Sequence, residues 1–190
     1  MHDITPAVAE TFKQLRAERG LSLSQAAQLT GVSKAMLGQI ERGQSSPTVS
    51  TLWKIATGFN VAFSVFLEGA QPQVQAGLHS FATLPVFEQT RSRMRVTPLI
   101  PFDDELKTDL LKIDLLPGAL SESGPHEPGV IEHVIMLEGA LQLRLGDEWH
   151  TVSAGESLRF HADIPHAYAN PGKTIVTLHN LIHYPRPADK

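Results

Sequence analysis

Residues 21–43 read LSLSQAAQLTGVSKAMLGQIERG. Ser22 followed three residues later by Gln25 is a capping box, which starts a helix at Leu23 and carries it through Thr30. Gly31 stops that helix, because glycine takes the left-handed conformation needed for a sharp turn, and Ser33 caps a second helix over 34–42 that ends at Gly43. Ala27, Val32, Leu37 and Ile40 fall at spacings that bury one common face, leaving Lys34, Ala35, Gly38 and Gln39 pointing away. A helix with a short polar face opposite its core is the shape that enters the major groove of DNA.

Working outward, Thr5-Pro6 opens a helix with Val8, Phe12 and Leu15 on one stripe. After Gly43, Ser46-Pro47 repeats the cap-plus-proline signal, and Val49, Leu52, Ile55 and Ala56 form the apolar face of a fourth helix ended by Gly58-Phe59-Asn60. Residues 62–67 add a short last helix whose Phe63 and Phe66 close the core. The expected organisation is a five-helix domain over 1–68, a linker over 69–77 rich in Gln, Pro, Gly and Ala, and a second domain over 78–190.

Past the linker the apolar period changes from 3.6 to 2. Strands are expected over 94–102, 108–116, 131–137, 140–145, 149–152, 156–160, 166–169 and 174–183, with Glu138-Gly139 as a hairpin turn. Many short strands at regular spacing imply an all-β sandwich or barrel.

Charge divides unevenly along the same boundary. Residues 1–68 carry six Lys or Arg against five Asp or Glu, and the remainder ten against fifteen, so the net charge of −4 belongs to the second part. That balance excludes a non-specific coat for nucleic acid; affinity has to come from directed contacts and dimerisation. The hydrophobic share of 42% is ample for packed cores. No apolar run approaches the roughly 20 residues of a membrane span, no leader pattern opens the chain, and cysteine is absent, so a cytoplasmic protein free of disulfides and membrane contact is expected.

The pattern Ala27, Gly31-Val32-Ser33 and Ile40-Glu41-Arg42-Gly43 closely resembles the helix-turn-helix of the phage-repressor-like (XRE) family of DNA-binding regulators. That resemblance implies that Lys34, Ala35 and Gln39 meet base edges, while Gln25, Ser33 and Arg42 meet phosphate and fix register. Gly38 occupies a place where Ser is common in the family. Arg16 and Glu41 stand where the family tends to have an ion pair, although two solvated charges are an equally good reading. The run SSPTVSTLWKIATGFNV is similar to XRE proteins fused to a cupin domain.

Eight of the nine histidines follow the linker: His79, His126, His133, His150, His161, His166, His179 and His183. Residues 118–170 resemble the two cupin motifs, which implies a double-stranded β-helix barrel. His126, Glu132 and Gly139 match the first motif, with Pro128 where its second His belongs; Gly155, His166 and Asn170 match the second, with His161 and Asp163 replacing the usual Pro and Gly. In that family histidines and the Glu converge on a divalent metal. Alternation puts residues 126, 128, 132, 134 and 136 on one inward face. His126, Glu132 and His166 are therefore the expected effector or metal site, for Zn, Fe, Ni or Mn, or else a polar pocket that hydrogen-bonds an organic ligand directly. His133 should face outward unless a bulge turns it in; with His161 and Asn170 it is a candidate addition to the pocket.

These likenesses together imply a homodimeric transcriptional regulator that reads a double-stranded DNA operator in half-sites about one helical turn apart. A small-molecule effector in the barrel would modulate DNA binding. Ile135 and Leu137, outward on their strand, are the expected apolar dimer patch. The segments GALSESGPHEPGVIEHV and LIHYPRP resemble sulfur-utilisation regulators in particular, suggesting a sulfur-related effector. The alternative is a metal-dependent, dioxygenase-like cupin enzyme fused to a DNA-binding domain.

Overall fold

The computed structural model describes residues 5–66, 81, 84, 86–89, 92–103 and 105–185. The chain divides into two compact units, Met1–Leu78 and His79–Lys190. The expected linker over 69–77 lies outside the described residues.

The first unit consists of α1 (Thr5–Glu18), α2 (Leu23–Thr30), α3 (Lys34–Glu41), α4 (Val49–Gly58) and a 3-10 turn, Phe63–Phe66. Its core is Val8, Phe12, Leu37, Leu52, Ile55, Phe59, Phe63 and Phe66, all fully buried. Phe12 meets Phe59 edge-on with ring centroids 5.7 Å apart. Each such side chain contributes roughly 1.5–3 kcal/mol by leaving water, which is what holds four short helices together.

Three expectations about this unit need correction. The cap of α4 is Thr48, whose hydroxyl accepts from Thr51 N at 3.1 Å; the Ser46 hydroxyl instead lies 2.7 Å from that of Thr5. Pro47 leads the chain into the helix, but only Thr48 stands three residues before a free N–H. In α2 the fully buried alanine is Ala26, with Ala27 at the margin. Gly38 is buried, not outward: a Cβ there would lie 3.2 Å from Arg42 Nη1 and 3.7 Å from Leu23 Cδ1.

The second unit holds ten strands among the described residues: β1 (Phe87–Gln89), β2 (Met94–Asp103), β3 (Thr108–Leu115), β4 (Ala119–Ser123), β5 (Ile131–Glu138), β6 (Ala140–Leu145), β7 (Glu148–Ser153), β8 (Ser157–His161), β9 (His166–Asn170) and β10 (Val176–His183). They form a six-stranded sheet ordered β1-β2-β3-β10-β5-β8 and a four-stranded sheet ordered β4-β9-β6-β7, with antiparallel pairing throughout. Alternation buries one face of several strands: Leu111, Ile113 and Leu115 on β3, Val134 and Met136 on β5, Leu141 and Leu143 on β6, Leu178 and Ile182 on β10. This is the cupin architecture, and the core between the sheets surrounds the polar site. Among the described residues no helix is long and apolar enough to cross a membrane.

Glu138-Gly139 is not a hairpin. β5 pairs with β10 and β8, whereas β6 pairs with β7 and β9 in the other sheet. Gly139 (φ +80°) is a corner where the chain changes sheets, and a Cβ there would sit 2.9 Å from Val176 Cγ2. Left-handed backbone and close approach both require glycine. Two strands, β1 and β4, have no counterpart among the expected ones; both are short, and Ala119–Ser123 lacks β-branched residues.

Candidate functional site

The surface offered by α3 is built by its caps. The Ser22 hydroxyl accepts from Gln25 N at 3.3 Å while Gln25 Oε1 accepts from Ser22 N at 2.8 Å, completing the capping box of α2. Gly31 takes φ +65°, the Thr30 hydroxyl donates to Ala26 O at 2.8 Å and accepts from Val32 N at 3.2 Å, and the Ser33 hydroxyl accepts from Met36 N. These local bonds, with Gly31 N donating to Ala27 O, fix the angle at which α3 leaves α2. Ser33, Lys34, Ala35, Gln39 and Arg42 are exposed on or beside α3, and Gln25 is exposed on α2. Met36, 41% exposed, borders the same ridge and was missed in the sequence, because apolar spacing alone assigns methionine to a core.

Arg16 closes this surface from behind. Its Nε donates to Glu41 Oε2 at 2.8 Å, its Nη2 to Glu41 Oε1 at 2.6 Å and its Nη1 to Leu21 O at 2.7 Å. The forked hydrogen bond holds the Glu41 carboxyl below its ordinary range and raises the guanidinium further. Of the two sequence readings, the ion pair is the one present.

In the second unit His126, Glu132 and His166 converge. Each offers a donor atom, all within 4.8 Å of one another, and all three side chains are buried. Glu132 comes from the inward face of β5 and His166 from the start of β9 in the opposite sheet. His126 lies in the loop before β5, pinned where its N–H donates to Ala162 O at 2.8 Å. His126 Nε2 is 3.0 Å and His166 Nε2 3.6 Å from the same oxygen, Glu132 Oε1.

The other carboxylate oxygen is occupied. Tyr168 OH and Asn180 Nδ2 both donate to Glu132 Oε2, the latter at 2.9 Å. Burial alone would push the Glu132 carboxyl up, but the His126 hydrogen bond, the nearby His166 and the Tyr168 hydroxyl outweigh it and hold it at about 2, so it is ionised. Burial and the Glu132 charge push the Tyr168 phenol well above its ordinary value, keeping it a donor. Burial is also the main cause that pulls His166 down. Its Nδ1 lies 2.9 Å from Ile164 O, and a carbonyl only accepts, so Nδ1 carries a proton and Nε2 is the ring nitrogen turned toward Glu132. One carboxylate oxygen thus has two imidazole nitrogens turned toward it, at 3.0 and 3.6 Å, an arrangement that a cation among them would satisfy. Two imidazoles and a carboxylate are a ligand set for a borderline divalent metal.

The candidate additions are not brought to this cluster. His133 faces outward on β5, and no bulge turns it in; His161 is exposed on β8; Asn170 is buried elsewhere, its Nδ2 donating to Leu115 O and Thr174 O and its Oδ1 accepting from Gly172 N. Pro128 is exposed, because alternation does not extend from β5 into the preceding loop. Tyr168 and Asn180 were missed. The signal for them is alternation itself: Tyr168 is two residues past His166, and Asn180 interrupts the inward series Leu178, Asn180, Ile182.

Residues 12–66 match the helix-turn-helix family model and residues 111–182 the cupin-domain model. The chain is 50% identical over 186 residues to the HTH-type transcriptional regulator SutR of Escherichia coli, covering 98% of this chain and 99% of that protein. It is similar to the crystal structure of an HTH_3 family transcriptional regulator from Vibrio cholerae, with TM-score 0.82, 38% identity and coverage of 96% and 98% of the two chains. Hydroxypropylphosphonic acid epoxidase from S. wedmorenis, at TM-score 0.50 and 18% identity over 94% of this chain and 97% of that one, shares the fold alone.

Proposed function

The chain belongs to the helix-turn-helix transcriptional regulators that carry a C-terminal cupin domain, and on that premise we propose that its DNA binding is governed by a divalent cation held by His126, Glu132 and His166. The protein is a DNA-binding regulator rather than an enzyme: its near full-length relatives are transcriptional regulators, and the epoxidase likeness concerns only the fold.

Within that function, 1–68 is the DNA-binding domain, 69–77 the linker and 78–190 the sensing and dimerisation domain of a cytoplasmic homodimer. Lys34, Ala35 and Gln39 read bases, and Gln25, Ser33 and Arg42 meet phosphate, a reading supported by their exposure around α3. The observation that carries the sensing half is the convergence of His126 Nε2, at 3.0 Å, and His166 Nε2, at 3.6 Å, on Glu132 Oε1 in a buried site. A bound cation would supply a positive charge and open coordination positions for a small effector. The protein's own part is to present two imidazole nitrogens, to hold Glu132 through Tyr168 and Asn180, and to exclude water with the Phe160 ring, whose centroid is 5.3 Å from that of His166. Effector binding shifts operator affinity only through unequal affinity for the DNA-competent and incompetent states.

The test is metal content by mass spectrometry on untagged protein prepared without chelator, beside operator affinity by fluorescence anisotropy. Near-stoichiometric zinc, iron, nickel or manganese that disappears in Glu132→Ala is expected, with a change of operator affinity on chelation. Metal-free protein that binds its operator unchanged would reject the cation and leave a pocket recognising its ligand by hydrogen bonding.

A further inference from the structure

We propose that Asn180 is a fourth member of the cation site, its Nδ2 holding Glu132 and its Oδ1 serving as an oxygen donor to the cation. The inference rests on the cation reading of the pocket.

Asn180 lies on the inward face of β10, 2% exposed, between Leu111 of β3 and Val134 of β5. Both of its hydrogen bonds leave from Nδ2, to Glu132 Oε2 at 2.9 Å and to Tyr168 OH at 3.3 Å. The amide cannot be reversed, since Oδ1 would then face a carboxylate oxygen, acceptor against acceptor. The Tyr168 proton is committed to Glu132, so its hydroxyl only accepts from Asn180. Orientation is thus fixed, and Oδ1 is left buried without a hydrogen-bond partner. A buried carbonyl so placed calls for a cation or a donor. It belongs to the side chain that already touches Glu132, and an amide oxygen suits a divalent ion beside imidazole and carboxylate. The loop that supplies His126 brings no further side-chain ligand, because Glu127 is exposed and Pro128 has none to offer.

A second donor to the same oxygen separates this role from simple support of Glu132, because the Tyr168 hydroxyl also holds Glu132 Oε2. The full chain is stripped with chelator, and zinc alone is titrated against a chromophoric competitor for wild type, Asn180→Leu and Tyr168→Phe. Asn180→Leu, losing both functions, should bind zinc 10–100-fold more weakly. Tyr168→Phe, losing only a donor to Glu132, should lose much less. If the amide were only a donor to Glu132, the two variants would lose affinity alike, which overturns the inference while leaving the cation in place. Wild type that takes up no zinc overturns the cation reading and this inference with it. Should Asn180→Leu be unfolded, Asn180→Ser is titrated in its place, with the same expectation and the same rejecting result.

Discussion

The fork between Arg16 and Glu41 joins the end of α1 to the end of α3 and, through Leu21 O, to the start of α2. With side chains only 22% and 15% exposed and three hydrogen bonds on one guanidinium, it lies beyond the surface pairs that contribute almost nothing. Arg16→Met should cost the first unit about 1–3 kcal/mol, read from urea unfolding, since it leaves a partly buried carboxylate unpaired. Arg16→Lys keeps the charge but not the fork and should recover only part of it. The pH dependence follows from the lowered Glu41 value. The pair's stabilisation is fully present above the unfolded carboxylate range and is lost as pH falls through the folded value. Glu41→Gln should therefore flatten the acid limb of the stability profile, and an unchanged limb would assign it to other carboxylates. The sequence permits this pair and two solvated charges equally, since the choice depends on how α1 packs against α3, a distance no local pattern encodes.

At the scale of elements, the helix-turn-helix was legible to within a residue at most boundaries, because its ends are set by local chemistry: Ser22 with Gln25, Gly31, Ser33. The β unit was legible in its strands but not in its pairing. Alternation of period 2 says which residues share a face and nothing about which strand lies alongside, so Gly139 read as a hairpin when it is a corner. The same limit hid one member of the candidate site: Glu132 and His166 stand out by motif, whereas Asn180 reaches them only through the β10–β5 pairing. Gly58 shows packing that no helix signal reveals. A Cβ there would lie 2.7 Å from Leu29 O and 2.8 Å from Thr30 Cα, backbone that cannot step aside. Gly58→Ala should push α4 off α2, lower stability by about 1–3 kcal/mol and weaken operator binding, measured by thermal unfolding and anisotropy. On α3 itself, Lys34→Ala and Gln39→Ala should change base preference in a randomised-site selection, at about 1–3 kcal/mol per lost base contact. Ser33→Ala should weaken all sequences alike, because its hydroxyl is also the helix cap, worth about 1 kcal/mol. Identical selected sequences for wild type and both reading variants would refute the assignment of Lys34 and Gln39.

For the molecule as a whole, the proposed homodimer would supply the operator affinity that the distribution of charge does not. Six basic against five acidic residues over 1–68 give little general attraction to DNA, and Glu41 is neutralised by Arg16, so a single unit makes a few directed contacts with a shallow salt dependence. In the proposed dimer two linked units would bind two half-sites with the second event made intramolecular, which raises affinity without new contacts. The outward face of the six-stranded sheet has the character such linkage needs. Ile135 and Leu137 on β5 are 40% and 43% exposed, and across the register Leu181 of β10 stands between His133 and Leu110 while His179 opposes Ile135. The same face carries Lys112 opposite His179 and Arg159 opposite His133, so the proposed contact between two copies is an apolar strip with a charged rim. Ile135→Glu combined with Leu137→Glu alters only side chains that point away from the barrel core, so the fold should survive, as near-ultraviolet circular dichroism would show. Sedimentation should shift the variant from dimer to monomer at micromolar concentration. Its affinity for a full operator should fall at least tenfold and its salt slope by about half, while affinity for an isolated half-site stays that of wild type. A variant that sediments as a dimer would move the interface to another surface, and one that becomes monomeric with full operator affinity would remove dimerisation from the account of DNA binding.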